Sequence, residues 1–578
     1  MAIDQAFQGI SSADVVELPC KASNQRHFVL RREETLRSLL KWAHEQNYYL
    51  CNLFATDDRL LVDRTFKLYY LLSSRAEDEI VILEYFVPDP ERGIYASVTD
   101  IFPNAVPLER EIHDMFGLVA IQPDHSHSRP GFLLHPGAYP AEFYPLRRNR
   151  TLSALREKRL TPFSLYDSQA AYTADHLPDG MLVVPVGPIH AGIIEAGHFP
   201  FHVAGEVVES LPIRLGYKHR GVEKLFETHY TLQDGWKLAE RVSGDSAVAH
   251  SVAYCQAVED LAQIDIPAVI YQWRALFLEL ERLYNHISDM GLLATGMAYE
   301  QAASSLATLR ELFVHFVNQR LSGNRFLRGL CFPGGVRSPE RGILGELYPH
   351  MAIVVEEALR WGQAMMEMPE CRERMLTTGI LTRDEARYAT GIIARASGWT
   401  THDFRLQHPS PAYATSEVKK LLLETITQED KTSPRLVPVY AHDLAGDVFA
   451  RLAIRVAETE TSLYLVRELI KALEDQAHDP SPAISLDKSL TRMPEMTMGI
   501  GYAEGWRGDV MYVVFNGPGN TIARCKVRDP STFNWHVFPE AVMRKKADRN
   551  NGKFLENILA DFPLINKSFN LSYAGNDL

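Results

Sequence analysis

Four things are scarce or missing in this chain of 578 residues, and each closes off a class of function. It has six cysteines, Cys20, Cys51, Cys255, Cys331, Cys371 and Cys525, and no two are close enough to form a CxxC pair. That spacing argues against a disulfide framework and against an iron–sulfur cluster held by this chain alone; the thiols read as small buried residues of a reducing compartment. Basic charge is not in surplus. The formal net charge is −13, which argues against nucleic acid as a partner, because phosphate binding needs a basic footprint. No stretch approaches the roughly 20 apolar residues needed to span a bilayer, and MAIDQAFQGISSADVVELP has no basic region followed by an apolar core, so no signal peptide is expected. Finally, no GxGxxG follows a strand and opens a helix, and no GxSxG is present. Nicotinamide or flavin binding and a hydrolase-type nucleophile therefore lack support.

What is present is an ordinary globular mixture, 46% hydrophobic and 23% charged, long enough for two or more domains. Residues 25–150 carry short runs rich in branched and aromatic residues, RLLVDRTFKLYYLLSS and EIVILEYFVP, after a helical pattern in ETLRSLLKWAHEQ. A small α/β domain over 1–150 is expected, then a polar linker over 151–178. The second domain, 179–578, opens with strand-like, glycine-punctuated sequence. It continues with helical patterns over Leu232–Gln263, Pro267–Thr295, Ser304–Arg320, Pro339–Glu367 and Asp447–Asp475. The fold class expected is α+β, with a small antiparallel sheet leading into a helix bundle.

Several motifs add a resemblance. EREIHDMFG (Glu109–Gly117) followed by a proline-rich run ending in PLRR (Pro145–Arg148) resembles the 30-kDa subunit of respiratory complex I. GPIHAGIIEAGHFPF (Gly187–Phe201), HRGVEK (His219–Lys224), ERLYNH (Glu281–His286), NRFLRG, TGIL, ARASG, GDVFAR and Arg507–Gly508 follow in order. They resemble the 49-kDa subunit of complex I and the large subunit of group 4 nickel–iron hydrogenases. With both domains on one chain, the sequence is similar to the fused large subunit of formate hydrogenlyase and hydrogenase-4 complexes.

The resemblance implies two metal-ligand segments, and both are changed. ERVSGDSAVAHS (Glu240–Ser251) stands where that family reads ERVCGICxxxH, and LSYAGNDL (Leu571–Leu578) stands where it has CxxC. The four thiolate positions become Ser243, Ser246, Ser572 and Gly575. Hydroxyls are poor ligands for metals that soft thiolates select, and glycine offers no side chain. The nickel and iron centre is therefore expected to be absent, with no metal and no cofactor held by this chain and an iron–sulfur cluster in a partner.

The resemblance further implies proton-relay candidates at Glu223, Arg507 and Asp245. With the three serines these are expected to line one hydrated polar cavity. His250, four residues after Ser246, reads as a hydrogen-bonded core histidine. Of the usual quinone residues only His190 matches; Ile194 and Gly244 stand where a histidine and a tyrosine are expected. Arg241 is expected to make a forked pair with a carboxylate. The tail is expected to be buried by Pro563–Ile565, with Ser572 beside the Ser243–Ser246 turn and Tyr573 near the cavity. The chain stops three residues beyond Gly575, as expected of a protein that needs no tail-cleaving maturation.

The partners implied are a complex I 20-kDa-like iron–sulfur small subunit, antiporter-like membrane subunits and a possible quinone. The implied location is cytoplasmic, peripheral on the inner face of the cell membrane. The function expected is that of one subunit of a respiratory or energy-converting oxidoreductase, coupling electron transfer to proton or sodium movement without hydrogen activation. The alternatives are a non-catalytic docking subunit or a quinone-reducing subunit with an altered site.

Overall fold

The computed structural model of the chain describes residues 14–122, 143–150, 180–191, 194–340, 342–415, 418–420, 422–423, 444–474, 483–484, 490, 493–543, 545–546, 554–555 and 557–578. The expected linker over 151–178 lies outside these residues.

The N-terminal part is a five-stranded sheet with helices on one side. In chain order it comprises β1 (Val15–Leu18), β2 (Gln25–Leu30), α1 (Glu33–Glu45), β3 (Tyr49–Asp57), β4 (Phe66–Ser73) and β5 (Ile80–Phe86). The strands lie in the order β1-β2-β5-β4-β3, with β2 and β5 parallel and every other pair antiparallel. β6 (Ile94–Ala96) and β7 (Val119–Ile121) form a short parallel pair around α2 (Ala105–Phe116). α1 presents Leu36, Leu39, Leu40 and Ala43 to the core, the spacing its sequence shows.

β3 is buried along its whole length. An alternating strand would leave one face in water, whereas every residue of YLCNLFATD is out of water because both faces are covered. On the second face lie Ile500, Met511, Val513, Phe515 and Phe533 of the C-terminal part, which join the N-terminal core.

The C-terminal part begins with the antiparallel β8 (Leu182–Val186), β9 (Phe199–Ala204) and β10 (Val207–Ser210), as its opening sequence suggests. Then come α3 (Val222–His229), α4 (Trp236–Ala239), α5 (Ala247–Leu261), α6 (Ala268–Gly296), α7 (Glu300–Phe313), α8 (Ile343–Glu367), α9 (Gly391–Ala396) and α10 (Val448–Glu474). The single helix expected over Leu232–Gln263 is in fact two, broken by the turn at Glu240–Ser246. The break places a polar, glycine-containing turn where apolar periodicity alone reads as continuous helix. α6 is buried along most of its length and packs against α7 and α10.

A second antiparallel sheet follows: β11 (Met498–Glu504), β12 (Asp509–Asn516) and β13 (Ile522–Arg528). Gly499 and Gly501 let α5 lie directly on β11. A Cβ at either would stand 2.1 Å from Ala257 O or 2.0 Å from Ala253 O. The chain closes with α11 (Ser531–Val542), α12 (Phe562–Phe569) and α13 (Tyr573–Asp577). Leu564 and Ile565 are buried against the bundle, and Phe562 packs on Phe199 and Phe201, so the tail is held in the core. Among the described residues no helix is long and apolar enough to cross a membrane.

Candidate functional site

Three segments distant in sequence meet at one place: the α4–α5 turn, the β11–β12 hairpin and the tail from Asn570 to Asp577. The hairpin is closed by reciprocal bonds, Gly505 N–H to Gly508 O at 2.9 Å and Gly508 N–H to Gly505 O at 3.2 Å. It presents Trp506 and Arg507. The Trp506 indole is buried and donates to Asp245 O at 2.9 Å, and the Arg507 guanidinium lies 3.9 Å from its ring centroid. Stacked this way, Arg507 has little rotamer freedom left to lose when it binds a carboxylate.

Arg507 then ties the segments together. Its two terminal nitrogens fork onto Asp245, each at 2.7 Å, and Nη1 also reaches Ser246 Oγ at 3.3 Å. Its Nε donates to Asn570 O at 2.5 Å. Parallel charge-assisted bonds of this kind fix orientation as well as contributing energy. Burial pushes the Asp245 carboxyl up, but Arg507 outweighs it and the group ends below the usual carboxylate range. The Ser243 hydroxyl donates to Asp245 at 3.0 Å and lies 2.9 Å from the Ser572 hydroxyl. Ser572 caps α13 by accepting from Gly575 N at 2.9 Å.

Gly575 is where the fourth side chain is missing, and its space is taken. A Cβ there would stand 2.4 Å from Asp529 Oδ2. Asp529 is fully buried and held in place: His250 Nε2 lies 3.1 Å from its Oδ2, and Ser531 N–H donates to Oδ1 at 2.7 Å. His250 is itself a core residue whose Nδ1 lies 2.9 Å from the Tyr512 hydroxyl. The donor set thus does not fit a nickel–iron centre. It offers three hydroxyls, of which two bond each other and one is bound by Arg507, and a carboxylate fills the fourth place.

These segments wall a half-open cavity of about 620 Å³. Ser243, Asp245, Arg507 and Ser572 line it, with Asn285, Asn570, Tyr573 and Glu195. Asn285 donates to Asp245 O at 2.8 Å, and Asn570 donates to Asp289 at 2.6 Å. Glu195 accepts from Ala574 N at 3.0 Å. Asn285 falls within the ERLYNH motif and was visible as part of it. Glu195 falls likewise within GPIHAGIIEAGHFPF, whereas Asp529 carried no signal of its own.

Two expectations are corrected. Glu223 does not line this cavity. It lies on α3, with Oε2 2.7 Å from Arg524 Nη1, Oε1 3.4 Å from Lys526 Nζ, and Oε1 accepting from Val527 N at 2.9 Å. Burial pushes its carboxyl up, but Arg524 and Lys526 outweigh it and hold it below the usual range. Lys526 also pairs with Glu111 of α2, so the cluster clamps the N-terminal part to β13. Arg241 makes no fork: it is half exposed, bonds Lys237 O and stands 3.7 Å from Glu240, because the hairpin brings Arg507 to the carboxylate instead. His190 is committed to the backbone, Nε2 donating to Gly197 O at 2.7 Å, which pins the loop whose Ala191, Ile194 and Glu195 reach the cavity.

HRGVEK acts through its arginine. Arg220 donates to Arg241 O at 2.9 Å, Val242 O at 2.7 Å and Ala574 O at 3.1 Å, joining the α4–α5 turn to the tail. His219 Nδ1 donates to Asp577 O at 2.8 Å.

A sheet domain is thus clamped to a helix bundle, with a tail-closed cavity beneath Arg507. Comparison with known proteins finds a counterpart for each half. Residues 29–155 match the family of the respiratory-chain NADH dehydrogenase 30 Kd subunit, and residues 301–548 match that of the 49 Kd subunit. The chain is a fusion of these two domains. It is 29% identical to hydrogenase-4 component G of Escherichia coli (strain K12) over 539 residues, 92% of this chain and 84% of that one. It is 29% identical to formate hydrogenlyase subunit 5 of the same organism over 544 residues, 92% and 85%. Among solved structures, a chain of the membrane-bound sulfane sulfur reductase, an archaeal respiratory membrane complex, shares the fold with a TM-score of 0.55. At 22% identity it covers 70% of this chain and is covered entirely.

Proposed function

We propose that this chain is the large, membrane-peripheral subunit of a respiratory or energy-converting oxidoreductase that couples electron transfer to proton or sodium translocation without activating hydrogen. It would work on the cytoplasmic face, with an iron–sulfur small subunit against the cavity and antiporter-like membrane subunits beyond. The kinship with hydrogenase-4, formate hydrogenlyase and NADH dehydrogenase subunits supports the assembly. The observation that carries the loss of hydrogen chemistry is the Arg507–Asp245 fork, closed over the Ser243–Ser572 hydroxyl pair with Asp529 in the fourth place.

The chemistry left to this chain is polar. Arg507 holds Asp245 ionised, and Asp245 accepts the Ser243 hydrogen, so that the hydroxyl pair is ordered. Each hydroxyl can donate and accept, so a proton taken up at Ser572 from the cavity would be passed on as Ser572 gives its own hydrogen to Ser243 and Ser243 gives its own to the Asp245 carboxylate. No nickel, iron or quinone step is assigned to these residues.

The test is to tag the chain, isolate it from detergent-solubilised membranes and assay vesicle proton transport. We expect an iron–sulfur protein and membrane subunits in stoichiometric amounts, and Asp245→Asn to reduce transport while leaving assembly intact. Isolation without partners would overturn the assembly. Unchanged transport in Asp245→Asn would make the chain a docking subunit and overturn the catalytic role.

A further inference from the structure

A second polar centre lies inside the bundle, away from the cavity just described. Arg282, on α6, stands 3.3 Å from Glu279 and 3.4 Å from Glu458. Arg395, on α9, stands 2.7 Å from Glu458, 2.9 Å from Glu504 and 3.5 Å from Asp403. Arg405 reaches Asp403 at 2.6 Å and Glu279 at 3.2 Å. All seven side chains are buried. Four carboxylates thus share three guanidiniums. Two histidines touch the cluster: His286 bonds Glu458 at 3.0 Å, and the His402 carbonyl accepts from Arg395 at 3.0 Å; burial holds both rings below their ordinary range, so neither adds positive charge. An unpaired buried charge is costly, and such a group takes up a proton instead.

Geometry singles out which carboxylate. Glu504 lines a second half-open cavity, of about 420 Å³, at the seam between the two halves of the chain. Lys21, Asn24 and Gln25 wall it from the N-terminal side, and Gln256 and Tyr502 from the other. Glu279, Asp403 and Glu458 do not reach it. The charged groups facing Glu504 are Arg395 from α9, Asp403 ahead of the following short helix, Arg282 from α6 and Asp509 from β12. Burial first, then Asp403, push the Glu504 carboxyl up to about 7, whereas Glu279, Asp403 and Glu458 are held below the usual range by their arginines.

We propose that Glu504 is a proton-loading site that takes one proton from solvent through the seam cavity. The step balances simply: a hydrated proton enters, the carboxylate becomes a carboxylic acid, and the cluster becomes neutral. The site is joined to the first cavity by structure. Arg282 donates to Glu504 O at 2.9 Å and Gly505 O at 3.1 Å, at the root of the hairpin that carries Arg507. His286 Nδ1 is buried without a partner and its ring stands edge-on to Trp506, leaving a free nitrogen between the cluster and that hairpin. Proton uptake at Glu504 needs no redox partner of the subunit.

Infrared spectroscopy of the full chain tests it. The wild type minus Glu504→Gln difference should contain one protonated-carboxyl band at about pH 6 that fades by about pH 8. Buried Glu281, which faces neither cavity, should keep its band in both proteins. Asp403→Asn equalises the charges and should move the midpoint to lower pH, a second reading should Glu504→Gln fail to fold. Lys21→Trp, at the cavity mouth, should slow deuteration of the band. A difference spectrum without the band, or a midpoint unmoved by Asp403→Asn, overturns the loading site. Unchanged deuteration in Lys21→Trp overturns the route.

Discussion

Gly575→Ala is a one-methyl change with an unusually legible cost. In most helices it would help, by about 1 kcal/mol of propensity. Here the new Cβ would stand 2.4 Å from Asp529 Oδ2 and 2.5 Å from its Cγ, so the carboxylate must move. Asp529 cannot move freely, because it accepts from Ser531 N at 2.7 Å and lies 3.1 Å from His250 Nε2. Overpacking costs about 1–3 kcal/mol, and weakening a charged hydrogen bond about 1.5–3 kcal/mol, so the loss exceeds the helical gain. A net cost near 3 kcal/mol corresponds to roughly a hundredfold faster amide exchange wherever exchange follows local opening. The assay is hydrogen–deuterium exchange of Tyr573–Asp577, repeated in Asp529→Ala and in the double variant. Removing the carboxylate should relieve most of the effect of Gly575→Ala, since contacting residues couple. Equal exchange in wild type and Gly575→Ala, or an effect that persists undiminished without Asp529, would refute the reasoning.

Further perturbations follow from the ion pairs. Asp245→Asn should cost about 1–3 kcal/mol, less than a wholly buried pair because the carboxylate is about a third exposed. Asp245 is held below its unfolded range, so its stabilisation is present above that range and is lost as pH falls through the folded value. Thermal melts should therefore show an acid slope that Asp245→Asn flattens, and an unchanged slope would contradict the fork. Glu111→Gln leaves Lys526 with Glu223 alone and should loosen the two halves; faster exchange across α2 and β13 would show it, and unaltered protection would exclude the clamp. Arg220→Met removes two bonds to the α4–α5 turn and one to the tail, and should speed exchange of Ala574 and its neighbours without changing that of β3.

Much of the architecture was legible because it rests on periodicity. The long helices α6, α8 and α10 lie close to where three- and four-residue spacing puts them, and the β8–β10 sheet follows its glycines. The break between α4 and α5 was not legible from periodicity, because Leu238, Ala239, Val242 and Ala247 sustain an apolar pattern across a turn whose shape is set by distant groups. The same holds at the site. Ser243, Asp245, Arg507 and Ser572 could be gathered from motif order, and they meet. Glu223 keeps its motif but is claimed by Arg524 and Lys526, residues of a strand far along the chain whose charge carried no motif. Asp529 was silent for the same reason: its role is to fill space beside a glycine, which only the packed tail reveals. The four-to-three carboxylate count around Glu504 likewise depends on helices brought together by the fold.

The central claim is that a hydrogenase-type scaffold has exchanged its thiolate centre for a hydrogen-bonded polar cavity. The most direct measurement is the nickel content of the complex purified through this chain from cells grown with nickel, alongside its hydrogen uptake. The account predicts no nickel above the background of an unrelated membrane protein and no nickel-dependent hydrogen uptake. One nickel per chain, with uptake that requires it, would contradict it.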